Sequence, residues 1–436
     1  MYNREMIIGI IFITIVFFNS CNLFCPKEEL ELKLEEASCT EVWLRVEGNK
    51  DSDMTLYCDD KEVKTFYFKG DTTIIDEGLQ PNTEYSYLIF GKSYDKSSNT
   101  VTVVTMDTTS HEFTWEMYTL GDGIGGPSRL NDVAIINDTL AYAVGEIYQD
   151  YNKDYQIYNA AKWDGKTWEL IRIPFIGTCS AVDYPPIKAI WAFSSTNILV
   201  TNGGSIVLYD GINATMDCRM NSLLTGTINK IWASNPNDIY AVGNSGTIVH
   251  YNEGSWKELE SGTNTRLLDI YGDKRNIFIA GYEDFKPSVL LRYRDGILSK
   301  IVEEQTPNYN SDLISGGIKS VWVRGEKLYT LSLYDLFRSS TETNGGADAI
   351  WRGNPNIWGS NKVRGTEIND IVTVGNRGTL WHYNGVGWKN CNELYNYADQ
   401  LLSVSVNEDI LIAVGYRYIS GIEVYGIIHL GVKKKS

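Results

Sequence analysis

One unit recurs along the chain and limits what it can fold into. Its clearest copy runs Ile228-Asn229-Lys230-Ile231-Trp232-Ala233, then Asp238-Ile239-Tyr240-Ala241-Val242-Gly243, then Ile248-Val249-His250-Tyr251-Asn252, and ends at Ser255-Trp256. Each copy holds four strand-length pieces separated by turn residues. Copies start near Leu130, Ile187, Ile228, Leu267, Ile318, Asn361 and Leu401. Four strands at a spacing of about 40 residues make one propeller blade. A lone blade cannot bury both faces, so copies must stack around an axis. The last copy ends at Ile427 to Val432 without a Trp-bearing fourth strand. Phe113-Thr114-Trp115-Glu116-Met117-Tyr118-Thr119-Leu120, ahead of the first copy, matches Ser255-Trp256-Lys257-Glu258-Leu259. The N-terminal strand should therefore complete the last blade, in a velcro closure near Gly426 to Leu430. The expectation is an all-β, seven-bladed β-propeller over residues 109–436. The Ile-Trp and Val-Trp pairs of the first strands, such as Ile190-Trp191 and Val321-Trp322, should pack between neighbouring blades.

A different pattern occupies residues 31–108. Glu41–Val46, Met54–Cys58, Val63–Phe68, Thr72–Ile75 and Thr100–Thr105 read as short strands. Pro81-Asn82 is a turn signal, after which Tyr85, Tyr87 and Ile89 alternate onto one face. Leu79, Pro81, Thr83 and Tyr85 sit at the spacing that precedes strand F in fibronectin type III domains. The segment resembles that family. The resemblance implies a small sandwich with Tyr85 as its tyrosine-corner residue; such a domain can be adhesive, but without an Arg-Gly-Asp loop it is expected to serve as a spacer.

The repeat array resembles exported bacterial propellers with Trp-x-x-x-x-x-Asp-(Ile/Val)-(Tyr/Trp)-Ala-Val-Gly units, of the photosystem-II-assembly-factor-like or Asp-box-like kind. That resemblance implies a fold and leaves function open, since propellers host many activities.

The N-terminus explains where such a chain would work. Arg4 precedes an apolar run from Ile7 to Phe18, and Phe18-Asn19-Ser20-Cys21 follows. The run is shorter than the ~20 residues a membrane-spanning helix needs, and it fits a signal peptide. The segment resembles the lipobox of bacterial lipoproteins. It implies a signal peptide over 1–20, lipid on Cys21 and a linker over 21–30. Asn22, where inner-membrane retention would use Asp, favours the outer membrane, on its periplasmic or surface side. An envelope compartment permits disulfides among Cys25, Cys39, Cys58, Cys179, Cys218 and Cys391. Cys39 with Cys58 and Cys179 with Cys218 are candidate pairs, and spacing does not decide between connectivities.

The formal net charge is −16, without a basic stripe, so nucleic acid is not an expected partner. No Gly-x-Ser-x-Gly, His-Glu-x-x-His or phosphate loop occurs. The Asp164-to-Trp168 and Asn384-to-Trp388 segments look like the Asp box of sialidases, but Asp-Gly and Asn-Gly are first of all hairpin turns. Asp150, Asn152 and Asp154 have calcium-loop spacing without the Gly and Glu that complete such a loop. The sequence thus assigns no catalytic, cofactor or metal residue. It leads to a lipid-anchored envelope protein that binds or scaffolds a protein or glycan ligand through its propeller. The alternative is a polysaccharide hydrolase or lyase with carboxylates at the channel mouth.

Overall fold

The structure is a computed structural model. It describes residues 29–434 apart from 124, 152–153, 177–182, 274, 306–312, 334, 347, 352–358 and 421–422. The chain divides into two compact units, the larger containing Val104–Ser436.

The small unit is a two-sheet sandwich. Leu30–Ala37, Glu41–Gly48 and Thr72–Glu77 form one sheet in that order. Lys61–Phe68, Ser52–Cys58, Glu84–Gly91 and Lys96–Ser97 form the other, where Val101–Val104 also pairs with Glu84–Gly91. Alternation selects the core: Leu44, Val46, Met54, Leu56, Tyr87 and Ile89 turn inward and are buried. Tyr87 is fully buried, and its hydroxyl donates to Asp76 at 2.9 Å. The Cys39–Cys58 pair does not form, for both thiols are free and buried. The reason is sheet assignment: Cys39 leads into a strand of the first sheet, whereas Cys58 ends a strand of the second. Cys391 is also free, and burial pushes its thiol up to about 12. Cys218 is disulfide-bonded. Cys21, Cys25 and Cys179 lie outside the described residues.

Among the described residues, the large unit contains seven four-stranded antiparallel sheets. Their first strands are Arg129–Asn137, Ala189–Ser194, Ile228–Asn235, Leu267–Gly272, Ser320–Arg324, Ser360–Glu367 and Asp399–Val406, all within two residues of where the repeats start. Each of these strands packs on the next, and the last packs on the first, so the sheets close a ring. Apolar side chains fill the space between successive sheets. Trp232 is buried with Leu267, Ile270 and Ile279 of the following blade, and Trp322 with Val363 and Ile371. The first-strand tryptophans are thus inter-blade packing groups.

The seam of the ring is the expected one. Phe113–Leu120 pairs antiparallel with Glu423–Lys433, and Trp115 stands opposite Gly431, one residue past the predicted stretch. A Cβ on Gly431 would meet the Trp115 ring at 2.6 Å, so the indole requires glycine there. Polar groups hold the same seam. His111 Nδ1 lies 2.8 Å from His382 Nδ1, and His382 Nε2 lies 2.8 Å from Asp370. Lys433 donates to the other Asp370 oxygen at 2.5 Å.

Only one of two facing Nδ1 atoms can carry the shared proton. Burial, and then the charges of His382 and Lys389, lower the His111 pKa to about 4. Unfolded His111 would titrate near 6.5, so the unfolded chain binds more protons between those values. Stability from this group is present above about 6.5 and should be lost as pH falls toward 4. Discounted for the partial exposure of the ring, the effect is about 1–2 kcal/mol. Thermal melts of wild type and His111→Gln between pH 7 and 4 check this: the variant should show the shallower fall.

Candidate functional site

The channel along the ring axis is not open throughout. Ladder registers place Asp132, Lys230, Asp269, Ser320, Lys362 and Ser403 at equivalent positions of six first strands. Side chains at this level point to the axis and meet. Lys230 Nζ sits 2.6 and 2.5 Å from the two Asp132 oxygens, and Ser403 Oγ donates to Asp132 at 2.7 Å. Across the axis, Arg364 makes a two-pronged contact to Asp269 at 2.9 and 2.8 Å. Lys362 adds an ion pair at 3.0 Å, and Ser320 Oγ donates at 2.5 Å.

All five ionic residues are buried. Burial opposes ionisation of Asp269, yet Arg364 and Lys362 outweigh it and hold the carboxyl well below its ordinary range. Asp132 is lowered likewise, burial being outweighed by Lys230 and Lys362. Burial lowers Lys362 to about 8, with Asp269 offsetting only part of the loss. Three cations thus face two carboxylates in a layer that closes the channel.

Above this layer opens a depression of about 650 Å3. It lies where the first strands begin and where second strands connect to third. Arg129, Lys188, Arg266, Lys319 and Lys362 line it, against the carboxylates of Glu146, Glu283 and Asp284. The mouth is therefore net positive in a chain of net charge −16. Burial lowers the Lys188 pKa, and neighbouring Arg266 lowers it further. Lys319 is lowered by burial, partly offset by Asp284, and its ammonium donates to Asn361 at 3.0 Å. Both lysines gain from an incoming anion. A second cavity of about 160 Å3, reached by Lys230, Arg364, Trp191 and Tyr271, lies beyond the charged layer.

The mouth carboxylates are already engaged. Glu146 accepts from the Tyr148 hydroxyl at 2.5 Å, and Asp284 accepts from Tyr282 at 2.6 Å. Lys286, 2.8 Å from Glu283, pulls the Glu283 pKa down, which is opposite to what a general acid needs.

The segments singled out from sequence lie elsewhere. Asp164 and Asn384 sit in turns between third and fourth strands, each side chain accepting two backbone N–H bonds at 2.8 to 3.1 Å. Gly165 and Gly385 take φ of 92° and 95° there, which only glycine adopts freely. Both segments act as turns. The Asp150-to-Asp154 insertion is the end of a long hairpin, and its side chains fall outside the described residues. The charged layer escaped the sequence reading. Its signal was present: Leu130-Asn131-Asp132, Ile228-Asn229-Lys230 and Ser360-Asn361-Lys362 align, and each Asn donates to a first-strand or preceding carbonyl of the next blade.

No protein-family model matches the chain, and no curated protein matches it. Among solved structures it is similar to one described as YCF48 bound to D1 peptide, at 12% identity and a TM-score of 0.53 over 75% of this chain and 99% of that one. It is also similar to YCF48 from Cyanidioschyzon merolae, at 14% identity and a TM-score of 0.48 over 72% of this chain and 98% of that one. At these identities the likeness is one of fold, a β-propeller.

Proposed function

We propose that this chain is a lipid-anchored envelope protein whose propeller binds a protein ligand, taking an acidic segment of it at the channel mouth. The observation that carries this reading is a cation-lined depression in an acidic chain, floored by a buried layer with one more cation than carboxylates. Excess positive charge in a low-dielectric concavity selects for anions and steers them in. The YCF48 structure named above holds a peptide, which agrees with a peptide-sized ligand on this fold. In the same reading the N-terminal segment exports the chain, Cys21 carries the lipid, and the sandwich is a fibronectin type III-like spacer before the propeller. Its two sheet orders suit that kind of domain.

A peptide array probed with the purified protein tests the binding claim. Asp- and Glu-rich spots should retain it, and release it near 1 M salt, where the Debye length falls to about 3 Å. Lys188→Glu combined with Lys319→Glu should abolish retention. Preference for basic spots, or turnover of a polysaccharide panel, contradicts the proposal. For the anchor, metabolic labelling with a palmitate analogue should mark the wild type and not Cys21→Ser. Equal labelling of both would place the lipid elsewhere.

A further inference from the structure

Beside the mouth, the connection between the second and third strands of the fourth blade carries Tyr282, Glu283, Asp284, Phe285 and Lys286. The first three line the depression. Every polar side chain of this loop is tied back. Glu283 pairs with Lys286 at 2.8 Å and accepts from the Arg266 N–H at 3.2 Å. Asp284 accepts from the Tyr282 hydroxyl, and Lys286 also donates to the Asn264 carbonyl at 3.0 Å. Beside the exposed Asp284, Phe285 points outward. It is 100% exposed and sits at φ 66°, a backbone region that a bulky side chain avoids. An ordinary turn places glycine, Asn or Asp at positive φ rather than a bulky aromatic. Tyr397, in the connection that enters the last blade on the same face, is 73% exposed.

We infer that Phe285 is the apolar anchor of the ligand-binding face, inserted into a pocket of a protein partner that places carboxylates alongside, over the mouth. The inference rests on the mouth being a protein-binding surface, and it adds which residue makes the central apolar contact. A rigid aromatic held in its bound conformation costs little order on association. Aromatics at the centre of an interface carry a large share of binding energy. Charge complementarity selects the partner: cations at Arg266, Lys188 and Lys319 flank the loop, so the rim around the apolar pocket is acidic. A membrane surface is the less suited occupant, because the chain is strongly acidic overall.

Selection of a phage-displayed random-peptide library against the intact protein tests this. Enriched peptides should combine acidic residues with an aliphatic or aromatic residue. They should bind Phe285→Ala and Phe285→Gly at least about tenfold more weakly than wild type. Phe285→Gly, freed of the positive-φ penalty, should melt no lower than wild type, so weaker binding cannot be ascribed to unfolding. Lys188→Glu should also weaken binding. Binding lost in Lys188→Glu but kept in Phe285→Gly overturns the anchor and leaves the acidic-segment reading standing. Binding indifferent to both, or no enrichment, overturns the two together. Phe285-dependent binding to phosphatidylglycerol vesicles instead of peptides overturns the protein partner.

Discussion

Deletion of Phe113–Leu120 should unfold the propeller while leaving the small sandwich folded. The segment forms the outer strand of the last blade, paired residue by residue from Phe113–Lys433 to Leu120–Gly426. Phe113 and Trp115 also pack in the core between the last two blades, with Leu401, Leu411 and Ile427. Closing a loop of roughly 300 residues costs about 5 kcal/mol of chain entropy, rising only slowly with length. Burying two aromatics, at about 1.5–3 kcal/mol each, and a ladder of hydrogen bonds, at about 0.5–1.5 kcal/mol each, offsets that cost. Without the strand, the last blade keeps an open edge and its core loses one wall. A thermal scan should show the main transition lowered by more than about 10 °C or missing, with the sandwich transition unchanged. A main transition unmoved by the deletion would mean that the strand is an ornament to the ring.

Asp269→Asn should have the next largest effect. The substitution keeps shape but leaves Lys362 and Arg364 buried without the carboxylate both contact. Removing one member of a buried ionic group typically costs about 3–5 kcal/mol, because the remaining charge stays desolvated. The melting temperature should fall by on the order of 10 °C. Because the folded carboxyl is held far below its unfolded range, this stabilisation is present above the unfolded pKa and is lost as pH falls below it. Denaturant titrations at neutral pH and near pH 3 check both points, since the gap between wild type and variant should narrow by about 1 kcal/mol at the lower pH.

Local pattern carried most of the fold. Alternation and turn residues repeat in each blade, so the starts of seven first strands and the incomplete last blade were visible in one sequence. The pairing expected near Gly426 to Leu430 is found from Gly426 to Lys433, while the seat of the Trp115 ring against Gly431 is a tertiary matter that no local pattern carries. Less of the site was legible. Asp132 and Lys230 are far apart along the chain and meet only because ring closure aims equivalent positions at one axis. Aligning the copies would have exposed that layer, as the Asn-Asp and Asn-Lys pairs share one repeat position. Phe285 had no such signal, for a Phe beside two acids and a Lys reads as an ordinary loop. Its exposure and backbone angle belong to the fold. The Cys39–Cys58 pairing failed for a related reason, since spacing says nothing about which sheet a strand joins.

Photo-crosslinking in intact cells would show whether the mouth is the face that meets a protein. A light-activated amino acid would replace Lys188 or Arg266 at the mouth, and Ile212 or Ile297 in turns of the opposite face, where both isoleucines are exposed. Discrete protein adducts are expected from the two mouth positions and none from the two turns. Adducts from Ile212 or Ile297 with none from the mouth would contradict that role of the mouth.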